Sequence, residues 1–246
     1  HRRLDRIYEG SPEDHSVDRM FSDVVLSYNV PYALPAGLLD GFRWYVEGRS
    51  YETLSDTYAY SARAAGTVGA MMALLMGVRD RDILGRACDL GIAMQLTNIC
   101  RDVGEDVHAG RVYLPADRLR ANGVDIDAWR AAPADHKGVR ETIREVLALA
   151  DDLYVRSEWG ISQLPSRVRP AMFAARSIYA EIGRAIEARG YDSVSGRAWV
   201  RGRRKAQLMA AAVRDAFEPR RRPAAPALDE ASFIVEAVQP TANARA

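Results

Sequence analysis

Gln95, Asn98, Asp102 and Asp106 follow one another at spacings of three, four and four residues within the stretch GIAMQLTNICRDVGED. At about 100° per residue this spacing sets all four on one face of a helix, with Arg101 and Glu105 flanking them. The residues around the stripe (Ile92, Ala93, Met94, Leu96, Ile99, Cys100 and Val103) are apolar on nearly every other side, and a helix apolar almost all round is buried. A polar stripe on a buried helix faces either a satisfied structural network or a cavity with polar contents. In the second case, two carboxylates one turn apart with an amide one turn earlier make a partial lattice for Mg2+. That ion keeps several waters and takes its other oxygens from one or two carboxylates and from substrate phosphates. A diphosphate would complete such a site most economically. Arg101, Arg111 and the run Arg201, Arg203, Arg204 and Lys205 offer cations for that polyanion, although a basic run on a helix is by itself an ordinary solvated face.

A second candidate region is TYAYSARAAGTVGAMMALLMG. Gly66 and Gly69 stand in a helix interior, where each costs roughly 1 kcal/mol relative to Ala. Two compensations are open: close packing of a neighbouring helix, or room for a long apolar ligand with Tyr60 and Arg63 at the polar mouth of its channel.

The elements that must position these residues read as all-α. Nearly every long segment shows the 3.6-residue period and none shows sustained alternation. Between Thr142 and Leu164, for example, Ile143, Val146, Leu147, Ala150, Leu153, Tyr154 and Ile161 share one stripe. The same reading predicts helices at about 18–28, 36–47, 53–76, 80–105, 169–189 and 199–217, separated by turn-forming runs such as NVPYALP and HAGRVYLP. One domain over residues 1–217 and a flexible Pro/Ala/Arg-rich tail over 218–246 are expected.

Composition bounds the function. The 34 basic and 33 acidic residues leave a net charge of +1, which gives no electrostatic footprint for nucleic acid. The four scattered histidines and the lone pair Cys88 and Cys100 offer no zinc spacing and no disulfide framework, so reduced thiols and a cytoplasmic setting are expected. The longest uncharged apolar run, Ala64 to Val78, is shorter than the ~20 residues of a membrane span and reads as a buried helix. HRRLDRIYEG has neither a starting Met nor an apolar core and reads as the start of an incomplete or processed chain without a signal peptide.

Taken in order, YAYSARAAGTVG, QLTNICRDVGED and GRVYLP resemble the phytoene synthase and squalene synthase family of head-to-head prenyl transferases, over about Leu4 to Phe217, and the resemblance to its bacterial carotenoid branch is close. The resemblance implies an isoprenoid-synthase helical bundle around a central apolar cavity. It implies that Asn98, Asp102 and Asp106 hold Mg2+ (or Mn2+) against a substrate diphosphate, that Gln95 is the neighbouring polar contact, and that Arg101 binds diphosphate. Tyr60, Gly66, Val68 and Gly69 match the segment lining the isoprenoid channel, Tyr179 matches a Tyr near the reacting carbons, and Arg197 matches a phosphate-contacting Arg. The implied reaction joins two geranylgeranyl diphosphates into phytoene through a cyclopropyl intermediate. Farnesyl diphosphate is the alternative substrate, and a noncatalytic helical fragment is an alternative of another class. Reduction is not required for phytoene, and no Gly-x-Gly-x-x-Gly fingerprint stands in the chain. Its product implies peripheral contact with a membrane; oligomeric state is left open. Two departures stand out: the family's earlier aspartate-rich motif falls upstream of His1, and Tyr45 occupies a position where many members have Asp.

Overall fold

Helix starts are written into the sequence as side-chain caps. The Asp80 carboxylate accepts hydrogen bonds from the backbone N–H groups of Asp82 and Ile83 at 2.9 and 3.1 Å, opening the central helix. Thr53 and Asp56 form a reciprocal capping box. The computed structural model, which describes residues 1–238, contains α1 (Arg2–Tyr8), α2 (Ser16–Ser27), α3 (Ala33–Val46), α4 (Leu54–Ser61), α5 (Thr67–Leu75), α6 (Arg81–Arg101), α7 (Val103–His108), α8 (Ala116–Ala121), α9 (Ile126–Ala131), α10 (Lys137–Gln163), α11 (Arg169–Glu187), α12 (Gly202–Asp215) and α13 (Ser232–Ala237). No strand occurs among the described residues, as the periodicity requires.

Helix α6 is the axis of the molecule, packed by α10, α5 and α11. Leu84, Cys88, Ile92, Ala93, Leu96 and Cys100 on it are all fully buried, and the two cysteines are unbridged. Between Gly91 and Cys100 only Met94, Gln95 and Asn98 escape full burial, so this stretch of α6 is open along the polar stripe and enclosed elsewhere.

Four expectations are revised. The segment 53–76 is not one regular helix: Ala62–Gly66 forms a π turn between α4 and α5. Ser61 and Thr67 turn their hydroxyls back onto the carbonyls of Thr57 and Arg63, at 2.8 and 2.6 Å, on either side of the widened turn. Helix α5 is also not buried on all sides, since Val68 is 40% and Met72 46% exposed.

The central helix ends at Arg101 rather than Glu105. Asp102 still donates to the Asn98 carbonyl at 2.9 Å and accepts from Asp106 N–H at 2.8 Å, but the Gly104 N–H is drawn away to the Ser193 carbonyl at 3.0 Å. Gly104 permits this approach, because a Cβ there would stand 2.6 Å from the Val194 carbonyl oxygen. A kink at Asp102 therefore divides the polar stripe between the end of α6 and the short helix α7.

The segment from Glu218, expected as a flexible tail, lies back across the bundle as far as residue 238. Arg220 pairs with Glu158 at 3.4 Å and Arg222 with Asp82. Arg86 and Arg156 donate to the carbonyls of Ala225 and Pro226. The short helix α13 then buries Ile234 against the π turn, α3 and α6. Periodicity missed this segment because it is held by distant arginines and a few apolar contacts instead of a long amphipathic face. Residues 239–246, the end of the same expected tail, lie outside the described residues.

Candidate active site

At the α6–α7 kink the Asp102 carboxylate is gripped by two guanidiniums. Arg101 donates through Nε to Oδ1 at 2.8 Å and through Nη2 to Oδ2 at 2.7 Å. Arg197, 95 residues further along the chain, stands with Nε 2.8 Å from Oδ1 and reaches Glu105 at 3.6 Å. Arg101, Tyr179 and Arg197 line one cleft together with Trp199 and Lys205, so the loop after α11 delivers to α6 what the helix cannot supply itself.

Asp106, one turn on, is in different surroundings. Its half-buried carboxyl is raised to about 6, first by burial and then by the charge of Asp102, with Arg111 opposing. It borders a pocket with Ile99, Arg111, Tyr113 and Trp129. Tyr60 is buried in a cluster with Tyr51 and Tyr113, its ring centroid 5.2 and 5.1 Å from theirs. Burial and the nearby Asp106 both hold the Tyr60 phenol above its ordinary range, so it stays an O–H. Tyr60 thus stands within reach of the Asp106 charge. Arg63 does not share this mouth: its guanidinium lies over Trp44 at 4.4 Å and Phe233 at 5.0 Å.

Asn98 and Gln95 share the open stripe of α6, joined by a long 3.5 Å contact from Asn98 Nδ2 to Gln95 Oε1. The Asn98 Oδ1 atom is buried and accepts no hydrogen bond. An unpartnered buried carbonyl oxygen and a carboxyl whose ionisation is resisted by a like charge both favour a cation at this spot. Among the described residues no three His, Cys, Asp or Glu side chains gather closely enough to hold a metal ion by themselves. Asn98, Asp102 and Asp106 are therefore a fitting but incomplete oxygen set, which leaves coordination positions for water and phosphate.

The glycines divide between the two compensations left open by the sequence. A Cβ on Gly69 would stand 2.3 Å from the Ala87 carbonyl oxygen, and one on Gly91 2.4 Å from that of Ala65, so these positions let α5 and the π turn lie directly on α6. Gly66 is looser, with Ile234 at 3.4 Å and Ile92 at 3.6 Å from the same hypothetical atom. Gly69 also borders an almost wholly apolar cavity shared with Met72, Met76, Leu90, Ile161 and Met172. Sequence reasoning passed over Tyr51 and the buried cluster of Asp89 with Arg86 and Arg156, at 3.1 and 3.2 Å, which anchors the returning C-terminal segment. The only available signal for that cluster was charge on the buried face of α6.

Comparison with known proteins gives this geometry its context. The squalene/phytoene synthase family profile matches residues 1–231. The phytoene synthase of Cereibacter sphaeroides is 48% identical over 218 residues, covering 88% of this chain and 61% of that protein. The phytoene synthase of Rhodobacter capsulatus is 49% identical over 208 residues, covering 85% and 61%. The chain therefore spans about three-fifths of the length of these relatives. Among solved structures, a dehydrosqualene synthase in complex with ligand superposes with a TM-score of 0.77 at 30% identity, covering 86% of this chain and 74% of that one. A squalene synthase from Alicyclobacillus acidocaldarius gives 0.71 at 25% identity, covering 77% and 72%. The all-helical architecture, the carboxylate stripe with its arginines and these matches lead to one assignment: the chain belongs to the squalene/phytoene synthase family.

Proposed function

We propose that the chain catalyses head-to-head condensation of two geranylgeranyl diphosphates to phytoene, by way of prephytoene diphosphate. The observation that carries this reading is the double grip of Arg101 and Arg197 on Asp102, in the cleft that also holds Tyr179. Both guanidiniums are preset for an oxyanion with paired acceptors, and an arriving diphosphate can take them over. The exchange frees the Asp102 oxygens to join Asn98 Oδ1 and the Asp106 carboxylate, the groups that would hold Mg2+ (or Mn2+). The metal, when bound, neutralises the charge developing on a departing diphosphate.

The chain's own residues do the rest. Arg101 and Arg197 orient the diphosphate, and Gln95 fixes the Asn98 amide so that its oxygen faces the site. The rings of Tyr60 and Tyr113 give the allylic cation an electron-rich, water-poor wall. Gly66, Val68 and Gly69 border the path of the prenyl tail toward the apolar cavity. Tyr179, beside Arg101 and Arg197, places its hydroxyl near the reacting end. Two diphosphates and two protons leave overall, so no reductant is consumed.

The relatives at 48 and 49% identity carry the name phytoene synthase, which favours the C20 substrate. The neighbouring structure named dehydrosqualene synthase, at 30% identity, supports the C15 substrate as the second reading. No helix among the described residues is long and apolar enough to cross a membrane. Cytoplasmic placement with peripheral membrane contact belongs to the same proposal, supported by the lipid solubility of the product.

The test is incubation with Mg2+ and either geranylgeranyl or farnesyl diphosphate, followed by mass analysis of the apolar extract. A C40 hydrocarbon is expected, with yields about 100-fold lower or worse in Asp102→Ala and Asp106→Ala, while far-UV circular dichroism stays unchanged. A preference for C30 product replaces the C20 assignment with the C15 one. Failure to form any hydrocarbon and to bind diphosphate in the presence of Mg2+ removes the enzymatic reading.

A further inference from the structure

A second pocket lies between the α3–α4 loop and the α7–α8 loop, apart from the cleft of Arg101, Tyr179 and Arg197. Trp44, Tyr45, Arg49, Tyr51, Arg111 and Arg130 form most of its wall, and no carboxylate lines it. Its volume of about 90 Å³ compares with the roughly 10–15 Å³ that one water needs on the same measure. There is room for a polyatomic ligand.

The charged groups here are all guanidinium donors. The Arg49 guanidinium lies 3.8 Å from the centroid of the Trp44 ring and that of Arg111 lies 4.1 Å from that of Tyr45. Neither is ion-paired among the described residues; Arg130 is paired, to Asp127 at 3.0 Å. Two carboxylates outside the pocket wall feel these charges: Arg111 acts on Asp106, and Arg49 on Asp56. Tyr51 is 2% exposed, and its hydroxyl is buried without a hydrogen-bond partner. Burial keeps that phenol protonated, so it is a donor waiting for an acceptor. Gly48 and Gly110, at φ +63° and +76°, turn the two loops through left-handed conformations at the rim.

We propose that this pocket is a metal-independent binding site for a phosphoryl anion, phosphate or diphosphate, held by Arg49, Arg111 and the Tyr51 hydroxyl. Two planar forks and a phenolic O–H, approaching from separate loops, match a ligand with several acceptor oxygens and no protons to give. The absence of a carboxylate in the wall removes any need for a bridging cation. The aromatic faces beneath both guanidiniums hold them in place before the ligand arrives. The anion comes either from solution or as the headgroup of a prenyl diphosphate, and both present the same oxygens.

The experiment is calorimetric titration of the full chain, in EDTA, with inorganic phosphate, inorganic diphosphate and geranylgeranyl diphosphate. Saturable binding of inorganic diphosphate is expected without metal. Arg49→Gln and Arg111→Gln should each weaken it tenfold or more, and Tyr51→Phe about threefold to tenfold at unchanged Tm. Arg197→Gln, which removes no group from this pocket, should leave metal-free binding there intact. Equal affinity for the inorganic and prenyl diphosphates identifies a free-anion site; tighter prenyl binding that Arg49→Gln weakens in parallel identifies a headgroup site. Absence of saturable binding in EDTA overturns the proposal. So does binding that Arg197→Gln abolishes while Arg49→Gln leaves it unchanged. Either failure leaves the Asp102 reading standing, because that reading is tested with Mg2+ and with residues outside this pocket.

Discussion

Asp102 and Asp106 are separated by one helical turn, yet only Asp102 has cationic partners in direct contact. Asp106 is left half-buried, beside a like charge, and its carboxyl is raised to about 6 from an ordinary 3.8. The consequence for stability has a definite sign. A folded-state pKa above the unfolded one means that the folded chain holds the proton more tightly, so this contribution is fully present below about pH 4 and is lost as pH rises through about 6. Asp106→Asn, which keeps the shape of the neutral acid, should therefore match wild type in Tm near pH 4 and exceed it near pH 7.5 in metal-free buffer. Two pKa units correspond to about 2.7 kcal/mol, which screening on the solvent side reduces to roughly 1 kcal/mol. A Tm difference of the same size at both pH values would show that folding does not raise the Asp106 carboxyl. At this scale the sequence disclosed the stripe through spacing. Arg197 could be assigned only by resemblance, because nothing in a 95-residue separation implies a 2.8 Å contact.

The polar stripe works because α6 is enclosed on its other sides, and small residues let that enclosure be tight. Gly69 and Gly91 face carbonyl oxygens on neighbouring elements that cannot retreat, whereas Gly66 faces the ends of isoleucine side chains. The three glycines look alike in a helical pattern and should respond differently. Gly69→Ala is expected to destabilise by about 2 kcal/mol or more through overpacking, and Gly66→Ala to be neutral or stabilising by up to ~1 kcal/mol through helix propensity. Denaturant midpoints compared at constant m-value separate the two; equal losses would mean that the tight crossing at Ala87 does not exist. Gly66→Leu, by contrast, must displace Ile234 or Ile92 and should lose stability as well as activity. Helix identity was legible from the 3.6-residue period, and the caps Asp80 and Thr53 marked their starts. The kink at Asp102 was not legible: it depends on the Ser193 carbonyl arriving from the loop after α11, and a single helix has no local signal for a competitor of that kind.

The bundle as a whole is closed by a segment whose composition argues against order. The run from Glu218 to Ala227 is rich in Pro, Ala and Arg, and its retention depends on charges placed far away in sequence. Glu158 holds Arg220, Asp82 holds Arg222, and Arg86 and Arg156, both paired to the buried Asp89, hold the carbonyls of Ala225 and Pro226. These contacts set α13 down so that Ala231, Ile234 and Val238 are fully buried. Ile234 reports on the whole arrangement, since its side chain touches the π turn at Gly66 and is lost from water only if the preceding strap is seated. A flexible tail predicts that Ile234→Ala changes stability by no more than about 0.5 kcal/mol, the usual range for a surface substitution. A seated α13 predicts a loss of about 2–4 kcal/mol, the range for truncating a fully buried aliphatic side chain. Urea unfolding of wild type and Ile234→Ala distinguishes these values, with Arg222→Ala as the companion variant. The Arg222 pair with Asp82 is solvent-exposed on both sides, so its removal should cost at most ~1 kcal/mol. A large loss at Ile234 with a small one at Arg222 means that apolar burial closes the bundle and the charges guide the segment into register; the reverse order means that the ion pairs themselves hold it.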